Sequence, residues 1–164
     1  MKVAMTIAGS DPSGGAGLQA DLKTFHQHGV YGTCVVTLLT VQNTQKVESV
    51  EVLGPEFVVS QLDAVLDDIP PTAAKTGALG NAAVIEAIAE RAERFSLPAE
   101  RVDSTHTHGT GCVFSAAITG RLAKGEDLVT AVKAAKRFIT AAIQTSPGLG
   151  QGYGPVNMHT RTDF

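Results

Sequence analysis

The chain opens with a short apolar run, Val3 to Ala8, cut off by Gly9-Ser10-Asp11-Pro12-Ser13-Gly14-Gly15-Ala16-Gly17 and followed at once by a helical pattern. A strand that is apolar on both of its faces has to be covered from both sides. With a glycine-rich turn leading from it into a helix, this opening predicts an α/β layer structure rather than a bundle or a sandwich. From Ala16 to His28, Leu18, Leu22 and Phe25 recur at helical spacing, and Gly29 stops the helix. Val30 to Val41, rich in Val, Thr and Leu, reads as a second buried strand ending at Gln42-Asn43-Thr44-Gln45.

Val47 to Leu53 alternates as a strand does. Pro55 begins a helix through Asp67 with Phe57, Val58, Leu62 and Val65 on one side, and Thr72 to Thr76 is a short strand before Gly77. Asn81 caps a helix from Ala82 to about Phe95, and two more helices are expected at Cys112 to Ala123 and Leu128 to Gln144, parted by Lys124-Gly125-Glu126-Asp127. Ser96 to Thr110 carries no strong strand pattern, and Pro147 to Phe164 is a glycine-rich tail. Strands alternating with helices predict a mostly parallel central sheet flanked by helices, in one domain of 164 residues. The balance is uneven, because the first half supplies the strands and the second supplies only helices.

The formal charge is −3, and the 13 Lys and Arg residues form no run, so the electrostatic footprint of nucleic-acid binding is missing. Cys34 and Cys112 show no metal-ligand spacing and predict no disulfide framework. The first apolar run is too short for a signal sequence, and no later stretch reaches membrane-spanning length. A cytoplasmic protein with no membrane partner is the expectation.

The segment richest in chemistry is Thr107-His108-Gly109-Thr110-Gly111-Cys112, leading straight into a helix. Two glycines let the backbone turn tightly, so that the unpaired N–H groups of the helix start point at one spot where the dipole favours negative charge. Cys112 lies in the first turn, where that field favours thiolate over thiol and makes it a candidate base. The plain alternative is a glycine connection with a small helix-starting cysteine. The Gly9 to Gly17 loop permits close approach by a ligand, yet it lacks the spacing of a phosphate-binding P-loop or a dinucleotide fingerprint, and it reads equally as a turn. Gln42 follows the long second strand, where open α/β sheets place ligand contacts, and its amide offers donor and acceptor together; a polar strand end facing water is the alternative. No role is assigned to His26 and His28 on an exposed helix end, to Cys34 inside a strand, or to His106 and His108 in the loop.

Together, TIAGSDPSGGAGLQADLKTF, GVYGTCVVTLLTVQNT, AAKTGALG and STHTHGTGC resemble the hydroxymethylpyrimidine and phosphomethylpyrimidine kinases of thiamine biosynthesis, in the ribokinase superfamily. The likeness is collinear over an N-terminal part, residues 1–95, and a C-terminal part, residues 98–155. It implies a ribokinase-like fold, ATP and Mg²⁺ as cofactors, and phosphorylation of a small pyrimidine on its hydroxymethyl group and then on the resulting phosphate. It implies that Gln42 and Gly9 contact the pyrimidine, that Asp21 assists its binding and that Ala78 borders the pocket. Gly109 and Gly111 would form the anion hole, with Cys112 as the base.

The family's long middle segment, which helps to hold Mg²⁺ and ATP, has no counterpart between these two parts. A truncated ribokinase-like fold is therefore expected, with exposed strand edges and a tendency to form homo-oligomers. Two other readings stay open: a catalytically silent remnant that binds a pyrimidine or a full-length kinase, and a pyridoxal kinase.

Overall fold

The computed structural model describes residues 1–94, 110–149 and 151–161. Strand β1 (Val3–Ala8) is central, with β2 (Tyr31–Val36) on one side and β5 (Ala73–Thr76) on the other, all parallel. A separate antiparallel pair is formed by β3 (Leu38–Gln42) and β4 (Val47–Val52). The helices are α1 (Gly17–Gln27), α2 (Pro55–Asp68), α3 (Ala82–Ala89), α4 (Thr110–Ala123) and α5 (Leu128–Gln144).

Alternation along β1 explains the two-sided cover. Met5 and Ile7, with Val35 of β2, pack against Val58, Leu62 and Leu66 of α2 and Val84 and Ile88 of α3. Ala4, with Ala73 of β5, faces Phe25 of α1 and Ala116 and Ala123 of α4. Small residues on that second face let α4 lie close to the sheet. Behind it, α5 packs through Ala135, Phe138, Ile139 and Ala142 onto Val113 and Ala117 of α4 and Ala20 of α1. Joining the N- and C-terminal parts thus buries a shared apolar layer, which supplies most of the drive for packing them together.

Local signals place most element ends. Asn81 accepts a hydrogen bond from the Val84 N–H (3.0 Å), Asp127 accepts one from Thr130 N–H (3.0 Å), and Pro55 stands in the first turn of α2. The long strand expected from Val30 to Val41 is instead broken at Thr37. This residue is fully buried; its N–H donates to Ala8, its hydroxyl to the Ala78 carbonyl (2.6 Å), and its carbonyl accepts from Leu53. The N–H bond is the last to β1, and the hydroxyl and carbonyl bonds to Ala78 and Leu53 turn the chain away from the parallel sheet, so that β3 pairs with β4. On α2 the buried stripe is Val58, Leu62 and Leu66, while Phe57, expected inside, is 62% exposed. The expected helix to about Phe95 closes at Ala89, and a 3₁₀ turn follows at Ala92–Arg94. Residues 95–109, including His106, His108 and Gly109, lie outside the described residues.

His28 departs most from expectation. It is buried, not exposed, its ring edge-on to Phe138 at 4.9 Å between centroids, and its Nε2 has no hydrogen-bond partner. Burial, with the charges of Arg121 and Lys124 nearby, lowers its pKa to about 4 from 6.5. The fold therefore binds the neutral ring, and the unfolded chain takes up a proton first as the pH falls. Stability present above pH 6.5 should be lost as the pH drops toward about 4, by roughly 1.4 kcal/mol per pH unit. Urea unfolding at several pH values checks this: His28→Gln should flatten the dependence, and an equally steep slope in that variant would contradict it.

Candidate functional site

The sheet reverses its winding direction at β1, since α1 carries the chain to β2 on one side and the route through β3, β4 and α2 carries it to β5 on the other. In open α/β sheets the crevice at the carboxyl ends of strands beside such a reversal is where ligands bind. Here that crevice is bordered by the Gly9 loop after β1, Thr37 after β2, and Gly77, whose N–H donates to Ile7 (2.8 Å), after β5.

The glycine loop is organised from within. Asp11, only 3% exposed, accepts from the Ser13 N–H and hydroxyl through Oδ1 and from the Ala16 N–H through Oδ2. Its own N–H donates to Gln19 Oε1 (2.8 Å), and Gln19 Nε2 donates to Ser10 Oγ. Gly17 has a positive φ of 57°, and a Cβ there would collide with the Gly9 carbonyl, which itself accepts from Leu18 N–H at the start of α1. A side chain at Gly9 would strike Leu38 of β3. Sequence reasoning passed over Asp11 and Ser13, although an aspartate two residues before a serine in a Pro-Gly turn is an Asx-turn signal.

Gln42 ends β3, its Oε1 accepting from Thr40 Oγ1 (3.2 Å), which also contacts the Ser10 carbonyl. It lines a cavity of about 60 Å³ together with Asp11, Ser13, Thr44 and Tyr153. A second cavity, about 480 Å³, is walled by Thr110 of α4, Ile143 and Ser146 near the end of α5, and Leu149, Tyr153 and Val156 of the tail. Tyr153, Gly154 and Val156 belong to both, so the cavities abut along the tail. Only the larger falls in the range of about 300–1,000 Å³ usual for enclosed ligand sites. No sequence pattern marked the tail as a wall, because glycine-rich segments show no periodicity.

Gly111 and half-buried Cys112 follow Thr110 in the first turn of α4, next to the wall of the larger cavity that Thr110 forms. Ala78 is exposed beyond β5, its carbonyl held by Thr37. Asp21 is fully buried and lines neither of these two cavities: Oδ2 accepts from Thr6 Oγ1 (2.6 Å) and pairs with Lys75 Nζ (2.8 Å), while Oδ1 has no partner. Burial pushes the Cys34 thiol pKa up, in keeping with its having no assigned role. The structure therefore brings Gln42, the glycine loop and the start of α4 to neighbouring cavities, and sets Asp21 behind them.

The sequence profile described as Phosphomethylpyrimidine kinase matches residues 11–99 and 90–157. The chain belongs to the phosphomethylpyrimidine kinase family. It is 31% identical over 252 aligned positions to the hydroxymethylpyrimidine/phosphomethylpyrimidine kinase of Synechococcus elongatus, covering 94% of this chain and 96% of that one. Among solved structures it is similar to Bacillus subtilis pyridoxal kinase in an ADP complex (TM-score 0.82, 28% identity, covering 96% of this chain and 97% of that one). It is also similar to the phosphomethylpyrimidine kinase of Clostridium difficile (TM-score 0.74, 26% identity, covering 87% and 100%). The first of these alignments is longer than the 164 residues of this family member, so the relative carries a stretch that this chain lacks. The two profile matches overlap at 90–99, which puts the join just after α3.

The family implies Mg²⁺. Among the described residues no group of three or more His, Cys, Asp or Glu stands where it could hold a metal, and the carboxylates of Asp11 and Asp21 are engaged by Ser13 and Ala16, and by Thr6 and Lys75. The described residues thus do not fit a dedicated cage for the ion. No helix among them is long and apolar enough to cross a membrane.

Proposed function

We propose that the chain phosphorylates 4-amino-5-hydroxymethyl-2-methylpyrimidine and then its monophosphate, with ATP as phosphoryl donor. The observation that carries this reading is the abutment of the two cavities, one holding Gln42 and the other the first turn of α4. A ring whose edge pairs with the Gln42 amide has its substituents near a helix start whose N–H groups suit a phosphoryl group. The larger cavity, with apolar Ile143, Leu149 and Val156 around the hydroxyls of Thr110 and Ser146, suits the nucleotide.

In this reading the hydroxymethyl oxygen attacks the γ-phosphorus while its proton passes to the Cys112 sulfur. The bond from phosphorus to the bridging oxygen of ADP breaks, and ADP leaves. Gly111 and its neighbouring amides hold the charge that develops on the phosphoryl oxygens. Gly9 lets β3 approach the loop so that Gln42 faces the cavity, and Ala78 borders the pyrimidine. Asp21 acts as a positioning residue, bracing β1 and β5 from beneath the crevice.

Pyrimidine-dependent ADP release in the presence of Mg-ATP, with the phosphorylated product identified by mass spectrometry, tests the reading. The likeness to pyridoxal kinase favours pyridoxal as a second substrate, and a higher kcat/KM for pyridoxal would make that the better description. Calorimetric binding of the pyrimidine without nucleotide binding or turnover would leave the silent-remnant reading instead. We also assign the chain a homo-oligomeric state, because β2 and β5 each pair on one side only among the described residues. Light scattering should then give at least twice the 17.0 kDa of one chain; a monomer would contradict it.

A further inference from the structure

The tail places one aromatic ring at the rim of both cavities. Tyr153 is 89% exposed, and exposure by itself would mean little, since apolar side chains are common on surfaces. Its position is fixed from both sides, however. Gly152 N–H donates to Thr44 Oγ1 (3.4 Å), and a Cβ on Gly152 would collide with the Thr44 carbonyl, so the tail is pressed against the end of the β3–β4 pair. On the other side Ser146 Oγ donates to the Pro155 carbonyl (2.9 Å), Asn157 N–H donates to Ala142 (2.9 Å), and Met158 is buried in the layer formed by α4 and α5.

Among the described residues no other aromatic lines either cavity. Phe25 and Phe138 are in the core, Phe114 packs against it, Phe57 is on the outside of α2, and Tyr31 begins β2. The cavity with Gln42 is too small to enclose a ligand, so a ring docked edge-first on that amide leaves its face to be covered from the rim. Planar heteroaromatic rings are held in this way by one polar edge contact and one stacked aromatic face.

We propose that Tyr153 is a specificity-determining residue of the pyrimidine site, stacking on the face of the ring whose edge Gln42 reads. This inference rests on the assignment of Gln42 to the pyrimidine made above. Stacking is indifferent to ring substituents, so Tyr153 selects planar heteroaromatic substrates as a class.

Calorimetry of hydroxymethylpyrimidine, and separately of ADP, with the full chain and with Tyr153→Ala, Tyr153→Phe and Gln42→Ala tests it. Tyr153→Ala should raise the pyrimidine Kd by about 5- to 150-fold, the loss expected for one base–aromatic stack. Tyr153→Phe should stay near the parent, Gln42→Ala should bind ADP as the parent does, and in Tyr153→Ala, whose side chain also lines the larger cavity, the loss of pyrimidine affinity should exceed any loss of ADP affinity. If Gln42→Ala loses the pyrimidine while Tyr153→Ala keeps it, the stacking role fails and the reading of Gln42 stands. If Gln42→Ala binds the pyrimidine as the parent does, that reading fails and takes the stacking role with it. A Tyr153→Ala defect confined to ADP also overturns the inference, by moving the side chain to the nucleotide.

Discussion

Lys75→Met is expected to lower the unfolding free energy by about 3–5 kcal/mol, the cost of leaving one member of a buried ion pair without the other. Lys75 Nζ lies 2.8 Å from Asp21 Oδ2, with the two side chains 7% and 0% exposed. Asp21 keeps only the Thr6 hydroxyl once the lysine is gone, and its Oδ1 already lacks a partner. The stranded carboxylate sits between β1, β5 and α1, where water cannot replace the lost ammonium. A methionine of similar length fills the space, which separates the charge effect from a cavity. Urea titration should show a lower midpoint at unchanged slope. Asp21→Leu combined with Lys75→Met should recover most of the loss, because neither charge is then left unpaired. A single variant within 1 kcal/mol of the parent would mean that the pair is not holding β5 to α1 as described.

Cys112→Ala should reduce kcat by about 10²- to 10⁴-fold, the usual worth of a positioned general base. Pyrimidine affinity should change little, since the proton moves mainly on the way to the transition state. The substitution is mild for the fold: alanine is the best helix former, and the backbone carbonyl of residue 112 still accepts the Ser115 hydroxyl (3.0 Å). Steady-state kinetics of the variant, with its pyrimidine Kd measured by calorimetry, separates the two effects. Turnover within about threefold of the parent, or a loss explained wholly by weaker binding, would remove Cys112 from the chemistry.

Much of the fold was legible in the sequence because its signals are local. A turn of glycines after Ala8, an asparagine at position 81, a proline at 55 and apolar residues at spacings of three and four act within one or two turns of chain. They place β1, α1, α2, α4 and α5 within a few residues of where they stand. The candidate site was legible in its parts, since Gln42 at a strand end and Gly111-Cys112 at a helix start are also local patterns. How those parts meet was not, because the tail that joins the two cavities has no periodic pattern to read.

Local patterning was enough for the α/β class, the order of most elements and the kinds of group offered at their ends. Four features came only with the assembled fold: the chain leaves the parallel sheet at Thr37, His28 is buried against Phe138, Asp21 pairs with Lys75, and Tyr153 and Gln42 line one cavity. Each depends on groups far apart in the chain, and the Asp21 to Lys75 bond spans 54 residues. Burial and charge pairing are properties of the assembled layers, set by which surfaces exclude water together, and no window of neighbouring residues contains that information.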